Sequence, residues 1–356
     1  MTFSSQQLLA FTKAIFVKIG FSEKDATLAS KVLISADLRG VDSHGIARLA
    51  GYIDLWKAKR LNPTPHLQVV HETPSTATLD GDAGVGLVVA PQAMTIAIEK
   101  ARQVGTGWVA VKNSNHFGIA GYHAMMALED DMIGIAMTNA SPIVAPTFAI
   151  DKMLGTNPIA VAIPALEQPP FVADFATTTV ANGKFEILER QGKEAPLGWL
   201  QDEKGQPTSD PTARKRGGAL LPLGSDRTHG SHKGYCLGAL VDIFTAVFSG
   251  ANYGPWVPPF VSYLPLVEPP VGEGIGHFLG AIRLDAFRPA EELKKHMDQW
   301  ITRFRQAKAT EGQQVLVPGD PERATEAIRR EEGIPLMESV VEKLQLLAQE
   351  FKVSWP

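Results

Sequence analysis

From residue 67 to residue 287 the sequence alternates short apolar runs with amphipathic stretches. "TATLD", "GWVAV", "IGIAMT", "IAVAIP", "FVADFA" and the later "GHFLGAIRLDAF" read as strands, while "APQAMTIAIEKARQV", "GKFEILERQ" and "YCLGALVDIFTAVFSG" read as helices. Strands and helices in this order restrict the chain to an α/β architecture with a largely buried sheet. Both ends are helical in texture. Ser22 with Asp25 resembles a capping box before "ATLASKVLISADLR", and Gly40 suits the stop. A second helix is predicted from Ser43 through "SHGIARLAGYIDLWKAKRL" to the break at "NPTP". Three more are predicted after residue 288, over "AEELKKHMDQWITRFRQA", "PERATEAIRREEG" and "LMESVVEKLQLLAQEF". The expected organisation is one discontinuous helical domain (1–70 with 288–356) and an inserted α/β domain (71–287). The proline-rich stretch "YGPWVPPFVSYLPLVEPPVGEG" is expected to be an ordered surface loop.

Charge and cysteine content remove several function classes. A net charge of −4 argues against a general nucleic-acid binder. The single cysteine, Cys236, rules out intrachain disulfides and four-cysteine zinc sites. The N-terminus lacks a basic segment followed by an apolar core, and no window approaches a membrane span, so a cytoplasmic protein is expected. No H-E-x-x-H or G-x-S-x-G appears, which argues against a metalloprotease-type metal site and a hydrolase triad; no metal is expected.

An α/β chain of this size invites a Rossmann reading, but no G-x-G-x-x-G follows a strand; "GDAGVG" has the wrong spacing and no Walker A motif is present. Any dinucleotide is therefore expected on another scaffold.

Six stretches carry candidate chemistry. In "VDSHGIARLAGYIDLW", His44, Arg48 and Tyr52 are spaced i, i+4, i+8 and on one helix would form a stripe with a proton carrier, a planar cation and a phenol. The alternative is a solvated helix face. In "KNSNHFGIAG", His116 follows an apolar strand, where α/β proteins place binding groups, or else it is a structural hydrogen-bonder in a turn. Thr156-Asn157-Pro158 is a polar turn that presents amides to a ligand or merely turns the chain. Asp174, Phe175 and Ala176 end a strand before a small-residue turn that opens a helix, a place where a phosphate approaches closely. His232 and Lys233 precede an apolar helix. Gly319, Asp320 and Pro321 suit the start of another.

"VDSHGIARL", "NSNHFGIAGYHAMMA", "LGTNPIAVAIP", "DFATTTVANGK", "HKGYCLGALVDI" and "GHFLGAI", in this order, resemble the type 2 malate/L-lactate dehydrogenase family, which also holds sulfolactate, ureidoglycolate and 2,3-diketogulonate oxidoreductases. The resemblance covers nearly the whole chain. It implies a non-Rossmann, three-layer α/β/α nicotinamide-binding domain with a mixed sheet, beside a helical domain built from both chain ends. It also implies a homodimer that moves a hydride between NAD(P)H and a small 2-keto or 2-hydroxy acid, malate/oxaloacetate or lactate/pyruvate first. The same scaffold admits a ureidoglycolate, sulfolactate or cyclic-imine oxidoreductase, and a non-catalytic carboxylate-binding protein is the reading from another class. Carried over residue by residue, His116 takes the place of the acid/base histidine and His44 that of a second one. Arg48, Tyr52, Thr156 and Asn157 fall among substrate contacts. Ser141, Asp174, Phe175, Ala176, His232, Lys233, Gly319 and Asp320 fall where the dinucleotide is held. The absence of an arginine from "TTTVANGK" favours NAD over NADP. "GSDRTHGSHKG" is longer than the glycine loop expected before the lysine.

Overall fold

A computed structural model describes residues 1–356 apart from the side chain of Arg190. Seven strands make the main sheet: β2 (Gln68–Glu72), β3 (Thr76–Gly84), β4 (Thr106–Ser114), β5 (Met132–Thr138), β6 (Ile159–Ile163), β7 (Phe171–Phe175) and β11 (Ile275–Arg283). Their spatial order is β2-β3-β4-β11-β5-β6-β7. Only β3 and β4 run parallel, and α4 (Gly86–Val104) is the crossover that a parallel pair requires. The other neighbours are antiparallel, so the sheet is mixed, as expected, and is not Rossmann. Small pairings complete the set: β1 (Thr2–Phe3) with β12 (Ile334–Pro335), and β8 (Leu200–Gln201) between β9 (Pro207–Thr208) and β10 (Ala219–Leu220).

Strand alternation gives the sheet two unlike faces. Leu79, Val109, Val111 and Leu279 pack under α4 and α5 (Ala120–Met125) in an alanine-rich core. Small residues bring these layers close: a Cβ on Gly107 would lie 2.0 Å from the Ala97 carbonyl oxygen. On the other face Trp108 and Phe278 stack beneath Phe244, with Phe248 edge-on. Phe244 lies in a π-helical turn (Ile243–Val247) that continues α7 (Ser231–Asp242), and Phe248 directly follows it. That face is only half covered; Val247 and Phe248 are each 57% exposed.

The helical layer is built from both ends of the chain. α1 (Ser5–Lys18), α2 (Glu23–Leu38), α3 (Leu49–Lys57) and α10 (Glu338–Phe351) share one core, and β1–β12 ties the termini together. Ser22 caps α2 through the Asp25 amide, and Gly40 follows its end at φ +79°, as its sequence predicts. α9 (Asp320–Glu332) lies on α2. α8 (Ala290–Arg305) instead packs on the β6–β7 hairpin, where Asp298 accepts the Leu166, Glu167 and Gln168 amides and Trp300 meets Phe171 edge-on. The division expected at 70/71 runs through β2. The helix over 183–191 is α6 (Gly183–Gln191). No helix among the described residues is long and apolar enough to cross a membrane.

One helix departs from expectation. Instead of a continuous helix from Ser43, the chain makes two 3₁₀ turns, Asp42–His44 and Ile46–Arg48, before α3 begins at Leu49. Gly45 is extended between them (φ −88°, ψ −150°). The cause is Asp37 of α2, whose buried carboxylate accepts the Ile46 amide at 2.7 Å and occupies the space a Cβ at Gly45 would need. A side chain thus takes an amide that helix propagation would have paired.

Candidate active site

The broken helix changes what the His44–Arg48–Tyr52 spacing means. The three side chains are not a solvated stripe. Tyr52 is fully buried in the helical core, and only its hydroxyl reaches polar company: it lies 2.7 Å from His116 Nδ1. His44 and His116 face each other, ring centres 5.6 Å apart and 18° from parallel. Two histidines separated by 72 positions therefore form one group.

His116 arrives from the sheet. Asn113, the last residue but one of β4, adopts φ +54° and anchors its amide to Asp80. Asn115 then donates to the Ala83 carbonyl at 2.8 Å. Gly86, at the start of α4, explains the glycines of "GDAGVG": a Cβ there would strike the Asn115 carbonyl oxygen at 2.3 Å. Gly86 thus lets the His116 loop pack directly on the helix start, whereas Gly84 makes room for Pro65. The Gly118 amide also donates to His116 Nδ1 at 3.3 Å. Nδ1 is thus an acceptor, the Tyr52 hydroxyl donates to it, and the neutral ring carries its proton on Nε2.

Both imidazoles are held neutral. Burial, reinforced by the Arg48 charge, lowers the His44 pKa to about 4. Burial, then His44 and Arg48, lowers that of His116 well below the usual histidine value. Burial raises the Tyr52 phenol. Below the site two further neutral imidazoles complete a buried scaffold. His277 bridges Thr138 and Ser114 at 2.8 Å each, with its pKa lowered by burial to about 3. His123 meets the Phe117 carbonyl at 2.8 Å.

Arg48 joins the histidines in the wall of a cavity of about 890 Å³. Its Nε donates to the Ser43 carbonyl at 2.6 Å, its guanidinium lies 5.9 Å from the Phe260 ring centre, and it forms no ion pair among the described residues. Phe260 belongs to the proline-rich segment expected to be a surface loop. The segment is ordered, but it forms part of the cavity wall. Phe260 lies 4.5 Å from His116, and its amide donates to Ser141 Oγ at 2.9 Å. Arg60 donates to the Pro259 and Val261 carbonyls. Gly51 leaves room for the ring; a Cβ there would lie 2.7 Å from it. Nothing in a run of prolines and aromatics distinguishes a wall from a surface loop, and this part of the site was not legible.

The other expected residues divide. Ser141, Thr156, Asp174, Phe175 and Ala176 line the same cavity. The Asp174 side chain is exposed in the cavity wall, and the protein packed around it displaces much of its solvent. Burial raises its pKa to about 6, against the opposing pull of the Gly121 amide (2.7 Å) and Arg39. Asn157 is fully buried; its Oδ1 accepts the Ala140 amide and its Nδ2 donates to the Gly238 carbonyl. His232 and Lys233 sit in the first turn of α7 and do not line this cavity; His232 lies 2.7 Å from Arg227. The longer loop before them is folded around Asp226, which accepts the His229 amide at 2.9 Å. Gly319 caps α9 at φ +96°, and Asp320 is enclosed by Arg305, Arg323 and the Val317 amide, outside the cavity wall.

The site thus offers a neutral histidine pair, an arginine without a carboxylate partner among the described residues, and a cavity with polar and apolar walls. This suits an organic acid whose proton is exchanged. The model of the malate/L-lactate dehydrogenase family matches residues 3–345. The chain is similar to malate dehydrogenase of Pyrococcus abyssi, with 41% identity over 96% of this chain and 93% of that one. It is similar to L-sulfolactate dehydrogenase of Methanocaldococcus jannaschii, with 36% identity over 94% and 93%. The crystal structure of malate dehydrogenase from Entamoeba histolytica superposes with a TM-score of 0.92 at 36% identity, covering 100% of this chain and 99% of that one. With fold, site and sequence in agreement, the chain belongs to the malate/L-lactate dehydrogenase family and is a hydroxy acid dehydrogenase.

Proposed function

We propose that the protein interconverts a small 2-hydroxy acid and its 2-keto acid with NAD, with malate and oxaloacetate the first pair to try. The observation that carries this reading is the meeting of His44, His116 and Arg48 at one end of the cavity. The cavity also fits a nicotinamide dinucleotide in size and lining: Phe175 and Ala176 give it apolar wall, and Asp174, Thr156 and Ser141 supply polar groups. When bound, that cofactor supplies the hydride acceptor for the C2 hydrogen of the hydroxy acid, and the hydride donor in reverse.

The chain's own residues hold the acid and manage its proton. Arg48 takes the carboxylate with its planar fork, which fixes the orientation of C2. His116 has Nδ1 engaged by Tyr52 and Gly118, so Nε2–H remains to donate a hydrogen bond to the substrate oxygen. A second proton on that ring would have to sit on Nδ1, against two donors. His44 is under no such constraint; among the described residues its Nδ1 has one partner, the Ser43 hydroxyl at 2.9 Å, which donates or accepts. His44 is therefore our proton carrier and His116 the orienting donor, an order opposite to that expected from the sequence. In oxidation, the hydroxyl proton passes to neutral His44 as the hydride leaves C2; in reduction the protonated ring returns it. A carboxylate on Arg48 offsets the cation that lowers His44, so substrate binding itself eases protonation of the ring.

We read the protein as a homodimer. The half-covered aromatic face of the sheet, with Trp108, Phe278, Phe248 and Val247, supports a second copy packing there. Light scattering tests that reading. The functional reading is tested by NADH and NADPH oxidation in the presence of oxaloacetate, sulfopyruvate, pyruvate and a cyclic imine. Turnover of the imine alone, or of none of them, overturns it.

A further inference from the structure

We infer that Lys152 is a second anion-binding group of the cavity, one that receives an acidic group of the bound ligands remote from the carboxylate on Arg48. Five long cationic side chains line the wall: Arg39, Arg48, Lys152, Arg214 and Lys215. Arg39 pairs with Glu326 at 3.2 Å, and Arg214 and Lys215 share Glu189 at 2.8 and 2.5 Å. Each of those three has a carboxylate partner within the protein, although Arg214 and Lys215 share one. Arg48 and Lys152 have no ion pair among the described residues. Among the described residues the Lys152 ammonium has one hydrogen bond, to the Arg214 carbonyl, at the long distance of 3.5 Å. Half-buried, it has lost part of its water, and its pKa is lowered for that reason. A cation that gives up hydration without gaining a carboxylate is poorly solvated until an anion arrives.

Its place in the chain supports the same conclusion. The Ile143 and Val144 amides both donate to the Leu154 carbonyl, and Met153 donates to that of Val144. This clasp sets Lys152 on the stretch of wall that also holds Ser141 and Thr156. Ser141 in turn holds Phe260, which packs on His116 and faces Arg48. Lys152 and Arg48 are thus joined through one continuous wall, with the histidines at the Arg48 end. The shared chemistry is an anionic oxygen group. It comes either from the far carboxylate or sulfonate of the substrate or from a phosphate of the cofactor.

This inference rests on the oxidoreductase reading above, and its test separates the two. Lys152→Met removes the charge and keeps the length; Lys152→Arg restores a charge. Steady-state kinetics with oxaloacetate, sulfopyruvate and pyruvate are combined with fluorescence titration of NADH and NADPH. If the anion belongs to the substrate, Lys152→Met lowers kcat/KM for oxaloacetate and sulfopyruvate about 10-fold or more, leaves pyruvate within about twofold, and Lys152→Arg recovers most of the loss. If it belongs to the cofactor, all three acids fall together and the Kd of NADH or NADPH rises about 10-fold. Kinetics and both Kd values within about twofold of wild type overturn the inference. Should wild type turn over none of these acids, the functional reading fails. Calorimetric titration of oxaloacetate and NADPH into wild type and Lys152→Met then still decides for Lys152: a weaker affinity supports it, and equal affinities overturn it.

Discussion

The histidine end of the cavity and the Gly319–Asp320 turn carry the same kinds of polar groups in opposite conditions. At the turn the Asp320 carboxylate is saturated. Burial acts to raise its pKa, but Arg305, the Val317 amide and Arg323 outweigh it and hold the group at about 2. At the histidine end, His44, His116 and Arg48 keep their ring nitrogens and guanidinium fork short of protein partners on the cavity side, and both imidazoles are forced neutral. Both segments stood out in the sequence as candidate binding groups. The difference lies in what surrounds them: a side chain with every valence met fastens the fold, whereas one left incomplete is available to a ligand.

The strongest way to break this comparison is at His44. His44→Ala is expected to lower kcat for keto-acid reduction about 10²–10⁴-fold while NADH still binds. The pH profile sharpens the point. A group with a pKa of about 4 is protonated only in a small fraction near neutrality. Reduction by the free enzyme needs that fraction, so log kcat/KM for oxaloacetate should fall with unit slope as pH rises from about 5 to 8. Oxidation needs the neutral ring; kcat/KM for malate should be flat above about pH 5 and drop as pH falls through about 4. If His116→Ala is far more damaging than His44→Ala, the proton belongs to His116.

Arg48 comes next. Arg48→Ala leaves the substrate carboxylate unpaired and should weaken its binding by about 2–5 kcal/mol, read as a steep rise in KM at unchanged NADH affinity. Arg48→Lys should recover only part, having lost the fork. At the other pole, Asp320→Asn should cost about 1–3 kcal/mol of stability, seen as a lower Tm, with KM for NADH unchanged. A raised Kd for NADH with an unchanged Tm would instead make Asp320 a cofactor contact and erase the contrast. The smallest effect is at Tyr52. Tyr52→Phe removes one hydrogen bond to His116, worth about 1 kcal/mol, and should lower kcat about fivefold with little change in KM.

The sequence made much of this legible where one residue type answers a local need. The strand and helix order, the Ser22 cap, the left-handed Gly40 and the missing Rossmann turn were all readable, because each follows from short-range sterics or period. His44, Arg48 and His116 were also picked out. Long-range effects were not readable. No spacing rule announces that Asp37 will take the Ile46 amide and break the expected helix within its first turns, between Ser43 and Leu49. For the same reason Tyr52, placed by spacing beside the other two, proves to approach the site from behind, through the core. Asn157 shows the converse: its motif looked outward, but its amide closes two backbone gaps.

The proline-rich segment from Tyr253 to Gly274 meets His116 and Arg48 through Phe260 and is tied down by Arg60 and Ser141. The proton-handling groups come from two other places, the turn after α2 and the end of β4. Shape and reactivity are thus inherited from separate stretches of chain. Residues flanking Phe260, such as Val261 and Leu264 in the same wall, are free to drift in size and polarity without disturbing an imidazole. A scaffold divided in this way can change its diet while keeping its chemistry, and the natural place to redesign this protein for a bulkier acid is that loop, with the histidine pair left as it is.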